Sequence, residues 1–434
     1  MIGETIIQSL TESLIERMRE VETIKGPQNV HGYSLLRLAA IAERAKHGMP
    51  VIEPYGSSRA FMGLDDLMFL PAMIDRFPVD PFTVNTRTVI GSTSAKPLEL
   101  QTPIVITAMA YGLSVTEATK IAMAKASVSA GTATNSGDAG FCEAERRHSQ
   151  RYIVQFNRAR YGNSEDQLRQ ADAIEIRFGQ GALAGLPEVI EGDDMDEELA
   201  RQLGVEPGQS ATRPLRHIEL KTPGDLKSLV NDLRALTGGV PIGAKIAAGR
   251  IEADLGHVVD AGCDFVTIDG AQGGTAGAPE VTINNVGVPI VYAIPRANRF
   301  LVERGVRSNI SLIACGGLKD AGDFMKALAL GADAVYTGQS VLTAMVYGQA
   351  EKLPLGTSPA EIYLYWGKHG AKLDIEVAAE AAANFIKAST QEMAMIAGAV
   401  GKSDLNLVNM DDMVALTEQA AQVTGVARAW SVQT

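Results

Sequence analysis

From about residue 100 the chain alternates short apolar runs with longer stretches of helical period, the pattern of parallel βαβ units. Eight runs read as strands: 103–107, 131–135, 152–156, 174–178, 241–247, 265–269, 311–315 and 334–338. Several carry adjacent β-branched residues, as strands buried on both faces do. Helical periodicity fills 115–130, 224–236, 252–261 and 320–330. The pattern therefore predicts an α/β fold, a (β/α)8 TIM barrel with helical N-terminal and C-terminal extensions. An open doubly wound sheet is the competing arrangement of the same strands. Residues 1–100 read as a helical extension packing on the barrel, with helical patterns at 6–22 and 34–46 before a Pro/Gly-rich region around the apolar stretch 64–74. Residues 101–350 hold the barrel, and 351–434 form a second extension with helical patterns at 377–400 and 411–423. Residues 187–216, acidic and then Pro/Gly-rich, read as a lid or partner-contact loop, or equally as a plain surface insertion.

Composition narrows the class. The chain has 434 residues, 46% hydrophobic and 21% charged, an ordinary soluble mixture. A net charge of −12 disfavours nucleic acid or an anionic membrane surface as partner, while leaving room for a local basic pocket. The three cysteines, Cys142, Cys263 and Cys315, lie far apart and make no CxxC pair, so they read as buried reduced thiols of a cytoplasmic protein. The opening segment MIGETIIQSL lacks a basic region before an apolar one, and no apolar run reaches membrane-spanning length. The six histidines show neither HxH nor HExxH spacing, so no metal site is expected.

Candidate chemistry gathers at the C-terminal ends of the expected strands, where barrels carry their sites. The seventh ends in Cys315-Gly316-Gly317 and the eighth in Thr337-Gly338-Gln339-Ser340, each running into a helix. Glycines let backbone approach an anion, and helix N-termini point N–H groups at it, so two such neighbouring turns suit a phosphate. The sixth strand ends in DGAQGGTAGAPE from Asp269, with Gln272 and Thr275 as hydrogen-bonding side chains in a glycine-rich loop. Lys245 falls inside the fifth strand and needs an anionic partner if it faces inward; an outward, salt-bridged lysine is the alternative. Further glycine-bearing ends follow the first strand (Ala108, Met109 to Gly112), the second (Asn135 to Gly140) and the fourth (Gly179, Gln180 to Ala182).

In this order, the blocks PIVITAMAYGLS from Pro103, TNSGDAG from Thr134, QGA from Gln180, AKI from Ala244, DGAQGGTAGAPE from Asp269, ACGGLKDAGDFMKALALGADAVYTG from Ala314 and IAGAVGKSDLNLV from Ile396 resemble the FMN-binding synthase domain of the glutamate synthase family. Within it, YIVQFNRARYGNSEDQLRQADAIE from Tyr152 and ANFIKASTQEMAMIAGAVGKSDL from Ala383 are similar to the stand-alone synthase subunit of N-methylglutamate synthase, also called methylamine–glutamate N-methyltransferase. The resemblance implies FMN and reduction of an imine, made from a 2-oxo acid such as 2-oxoglutarate and ammonia or methylamine, to glutamate or N-methylglutamate. It implies Lys245 and Gln272 as catalytic residues. The implied cofactor-binding residues are Ala108, Met109, Asn135, Gln180, Lys245, Asp269, Gly273, Gly274, Thr275, Gly316, Gly317, Gly338 and Gln339.

Departures from the family pattern are also legible. The segment YGQAEKLPLGTSP from Tyr347 has no cysteine where the family carries an iron–sulfur run, so no cluster is expected. The chain starts Met1-Ile2 rather than with a glutaminase cysteine, so glutaminase-like and electron-donor subunits are the expected partners, in an oligomer. After Gln180 the sequence reads Leu183-Ala-Gly-Leu-Pro in place of the family's Lys-Pro-Gly. An FMN-dependent amine or 2-hydroxy-acid oxidoreductase, and an FMN-binding subunit active only with partner chains, are the alternative readings.

Overall fold

The computed structural model describes residues 35–51, 57, 59–187, 189–275, 277–354 and 357–431. All eight expected strands form: β1 (Ile104–Ile106), β2 (Thr134–Asn135), β3 (Tyr152–Phe156), β4 (Ala173–Arg177), β5 (Ile242–Ala247), β6 (Phe265–Asp269), β7 (Ser311–Cys315) and β8 (Ala334–Thr337). They pair in parallel in the order β1-β8-β7-β6-β5-β4-β3-β2. The two ends of that series meet. The Ile106 amide donates to the Ala133 carbonyl at 3.2 Å, and the Thr132 hydroxyl to the Ile104 carbonyl at 2.6 Å. The sheet is thus a nearly closed barrel, and the open-sheet alternative falls away.

Both faces of the strands are buried, which is why apolar residues dominate them. Inside, Val105, Ile153, Phe265 and Ile313 fill a lower layer. Gly243 makes room for it, since a Cβ there would overlap the Phe265 ring. A hairpin of Thr88–Ile90 and Leu98–Leu100 closes the barrel floor with Ile90, Leu98 and Leu100, while Val89 and Glu99 point away.

The helix between β1 and β2, Glu117–Ala130, starts at a Thr116 cap and ends at Gly131, whose φ of +67° suits glycine. Its small residues pack against the long helix Ile375–Ala399 of the C-terminal segment, which presents Ala378, Ala379, Ala382 and Ile386 to the core. Helices Leu35–His47, Asp225–Thr237, Ile251–Asp260 and Ala321–Ala329 lie within a few residues of their expected spans. The pattern at 6–22 lies outside the described residues.

Two elements differ from the sequence reading. Residues 411–423 are not one helix: Met413–Ala415 is a strand antiparallel to Leu67–Phe69, and only Glu418–Thr424 is helical. The apolar triplet finds a strand partner in the 64–74 stretch, and Thr417 caps a new helix start. The second is helix Ile290–Glu303 between β6 and β7, which sequence reasoning missed because Pro295 sits inside it. Among the described residues no helix is long and apolar enough to cross a membrane.

Candidate functional site

Because side chains alternate across a strand, the residues facing the barrel axis can be followed strand by strand. Above the apolar layer they turn polar: Asn135, Gln155, Glu175, Lys245, Thr267 and Tyr336, every one buried. Strand register sets Lys245 beside Arg177 of β4 and Thr267 of β6, and sets Cys315 beside Asp269 and Tyr336.

Lys245 faces inward. Its Nζ lies 3.1 Å from Asp269 Oδ2 and 3.8 Å from Cys315 Sγ, with the Tyr336 ring 5.7 Å away. Burial works against its charge, yet the Asp269 carboxylate, aided by Glu175, outweighs that cost and raises its pKa above the usual lysine range. The Cys315 thiol is pushed up to about 12, by burial first and then by Asp269, so it stays protonated. Burial and Glu175 hold the Tyr336 phenol neutral in the same way.

Glu175, which sequence reasoning did not single out, is the hub of this layer. Its carboxylate accepts from Gln155 Nε2 at 2.7 Å, Asn135 Nδ2 at 3.1 Å and Thr267 Oγ1 at 2.6 Å. Its one available sequence signal was a carboxylate two residues before Arg177 in an otherwise apolar strand pattern, where burial would demand partners for both. Arg177 and Arg213 were missed too; both pair with Asp138 Oδ2, Arg177 at 2.5 Å. Arg213 belongs to the insertion 187–216. That insertion folds as a hairpin (Val189–Ile190 with Ala211–Thr212) and a helix, Glu197–Leu203. Its Leu199 and Leu203 pack on Ala110, Tyr111 and Ala139 of the loops after β1 and β2. The same two loops are tied from below by Lys120. Its buried ammonium donates to the Met109 and Asn135 carbonyls at 2.8 and 2.9 Å and pairs with Glu145 at 2.8 Å.

The glycine turns meet at the barrel mouth. Gly273 lies under the Asp269 carboxylate, where a Cβ would overlap Oδ1. Gly316 and Gly317, at φ +95° and +78°, bring the turn after β7 against Gly270, Gly273 and the Gln272 side chain. Gln180 packs on Gly274, and the Ala182 amide donates to the Gly273 carbonyl at 2.8 Å. Gly338 precedes helix Gln339–Val346, whose N-terminus has no side-chain cap. The Ser340 hydroxyl donates to the Lys319 carbonyl at 2.7 Å, joining the turns after β7 and β8. Gln272 Oε1 accepts from the Ile290 amide at 3.2 Å.

Not every candidate side chain turns toward this center. Gln339 is exposed, with its amide 3.5 Å from Thr343 Oγ1 on its own helix, so its backbone is what it offers the mouth. Thr275 is exposed as well, while Ala108 is half-buried and Met109 lies near Gly338. Among the described residues, the buried side-chain atoms without a hydrogen-bond partner include Asp269 Oδ1, Gln155 Oε1 and Thr337 Oγ1. No group of three His, Cys, Asp or Glu side chains there is placed to hold a metal ion. Unmet polar atoms, an uncapped helix N-terminus and stitched glycine turns together fit a phosphate-bearing, flat, polar-edged cofactor.

Comparison with known proteins agrees with this architecture. Residues 59–403 match the family described as the conserved region in glutamate synthase. A glutamate synthase large subunit-like protein of Rhizobium meliloti (strain 1021) is 35% identical over 410 residues, 90% of this chain and 92% of that one. An archaeal-type glutamate synthase (NADPH) of Thermotoga neapolitana is 32% identical over 388 residues, 84% of this chain and 76% of its own. Among solved structures, a mutant flavocytochrome b2 with pyruvate bound superposes with a TM-score of 0.51 at 14% identity, covering 98% of this chain and 94% of the other. A mandelate oxidase mutant with the monooxide FMN adduct gives 0.50 at 16% identity, covering 80% and 87%. At such identity the likeness is one of fold.

Proposed function

The chain belongs to the glutamate synthase family, and on that footing we propose that its barrel mouth binds FMN and reduces the imine of a 2-oxo acid to an amino acid. The observation that carries the reading is the pair of stitched turns after β7 and β8, the first of them packed against Asp269 of the buried Lys245–Asp269 pair. In this reading the amides around Gly316, Gly317, Gly338 and Gln339 would hold the phosphate, and the uncapped helix N-terminus would add its positive end. Asp269, Gln180, Gln272, Gly273, Gly274 and Thr275 would contact the flavin ring, together with Ala108, Met109 and Asn135. Bound there, FMN supplies the hydride chemistry that no side chain can.

The chain's own part is binding, orientation and charge. Lys245 keeps its proton and donates from Nζ to the substrate carboxylate, with Asp269 fixing its direction. Glu175 holds Asn135, Gln155 and Thr267 in one arrangement, so the layer facing the substrate is set before it arrives. The insertion 187–216 covers the loops after β1 and β2 and keeps water from the imine. The proposed 2-oxo acid is 2-oxoglutarate and the amine ammonia or methylamine, giving glutamate or N-methylglutamate. NADPH, named for the Thermotoga relative, is the proposed source of electrons, through an electron-donor subunit. A glutaminase-like subunit would supply nitrogen, and with three cysteines so dispersed the reading gives this chain no iron–sulfur cluster.

The test is spectroscopic and then chemical. The purified protein is expected to release FMN in equimolar amount and to show flavin absorbance without iron–sulfur bands. With chemically reduced flavin, 2-oxoglutarate and either amine, it is expected to form the matching amino acid. Protein without flavin and without affinity for added FMN sinks the proposal; flavin reduced instead by 2-hydroxy acids transfers it to the oxidase reading.

A further inference from the structure

A second concavity lies behind the mouth, outside the barrel wall at the ends of β4 and β5. It measures about 450 Å³, within the range of small-molecule sites. Its floor is apolar, from Phe178, Leu226 and Val258 among others. Its rim carries charge of both signs from separate elements. Arg216 and Lys221 come from the segment before helix Asp225–Thr237, and Asp254 comes from helix Ile251–Asp260. Among the described residues Arg216 makes no ion pair or hydrogen bond, so its guanidinium is available to a ligand. An apolar floor beneath a cation and a carboxylate is complementary to a zwitterion with an apolar side chain.

We propose that this cavity binds a free α-amino acid with an apolar side chain, its carboxylate on Arg216 and Lys221, its ammonium on Asp254, and its side chain on Phe178, Leu226 and Val258. One wall of the cavity is the back of the loop that carries Gln180: Gly179, Ala184 and Gly185 line it. Gln180 and Ala184 exchange backbone hydrogen bonds of 3.1 and 2.8 Å, closing a tight ring whose Ala182 amide is fastened to Gly273. Ala184 closes that ring at φ +53° and ψ −128°, a conformation strained for any residue but glycine. A ligand against this wall bears on a strained loop whose far side borders the mouth. The linkage to flavin rests on the FMN reading; the binding itself does not.

Calorimetric titration of the full chain with L-phenylalanine and L-leucine tests the site. Saturable binding is expected, at least about tenfold weaker for 3-phenylpropionate and 2-phenylethylamine, each of which lacks one charge. Arg216→Ala and Asp254→Asn are each expected to weaken the amino acid about tenfold without changing FMN content. No binding at about 10 mM, equal binding of the singly charged analogues, or wild-type affinity in both variants overturns the proposal. In flavin-loaded protein, saturating amino acid is expected to shift the visible absorption. Binding without that shift overturns the linkage and leaves the site standing. Protein that binds the amino acid but no flavin sinks the FMN reading alone.

Discussion

At the scale of single residues the decisive contact is Lys245 with Asp269, both at or below 2% side-chain exposure. A buried pair like this is costly to break from one side, because the survivor keeps its desolvation cost without its partner. Lys245→Met therefore strands the Asp269 carboxylate and is expected to lower stability by about 3–5 kcal/mol as well as activity. The double variant Lys245→Met with Asp269→Asn separates the two effects. It removes both charges, so much of the stability is expected to return while turnover stays down by at least about a hundredfold. Urea unfolding reads the first and product formation the second. A double variant as active as wild type would take Lys245 out of the mechanism.

At the scale of elements, the turn after β7 is where backbone conformation and ligand geometry meet. Gly317 sits at φ +78°, and a Cβ there would lie 2.8 Å from Gln272 Cβ. Gly317→Ala is therefore expected to cost about 1–2 kcal/mol in backbone strain and to push Gln272 off the Ile290 amide. Barrel secondary structure should persist by circular dichroism while the flavin-to-protein ratio falls steeply; full retention of flavin removes this turn from the phosphate site. Such turns were legible in the sequence because glycine after an apolar strand is a local signal. The eight strands were legible as short, largely apolar runs of strand length between turn and helix patterns. Glu175, Arg177 and Asp138 were not. Their meaning depends on which neighbor the closed sheet brings alongside, and no local pattern tells an inward Glu175 from an outward one. Helix Ile290–Glu303 was hidden by Pro295, and the strand Met413–Ala415 by an apolar triplet that fits either period until its partner Leu67–Phe69 is known.

At the scale of the whole molecule, the segments outside the barrel are bound into its support. Leu67–Phe69 pairs with Met413–Ala415, and flanking bonds run from Leu70 to Asp412 and from Leu416 to Asp66, each 2.8 Å. Helix Glu418–Thr424 then packs on Ile290–Glu303, where the Gln419 amide reaches the Tyr292 hydroxyl at 3.1 Å. The Ile290 amide, first in helix Ile290–Glu303, donates to Gln272 Oε1. A path of packed elements thus runs from the C-terminal segment to the loop after β6 and the mouth. Ending the chain at Ser403 removes Val408, Met413, Ala415, Ala420 and Val426 from the core and uncovers Leu64 and Leu67. At roughly 1.5–3 kcal/mol for each large apolar side chain buried, the loss rivals the whole stability of about 5–15 kcal/mol typical of a folded protein. The truncated chain is therefore expected to lose its cooperative thermal transition and its flavin together, not the flavin alone. A sharp transition within a few degrees of the full chain, with FMN gone, would instead make the C-terminal segment a local brace of the Gln272 loop, with no part in holding the barrel.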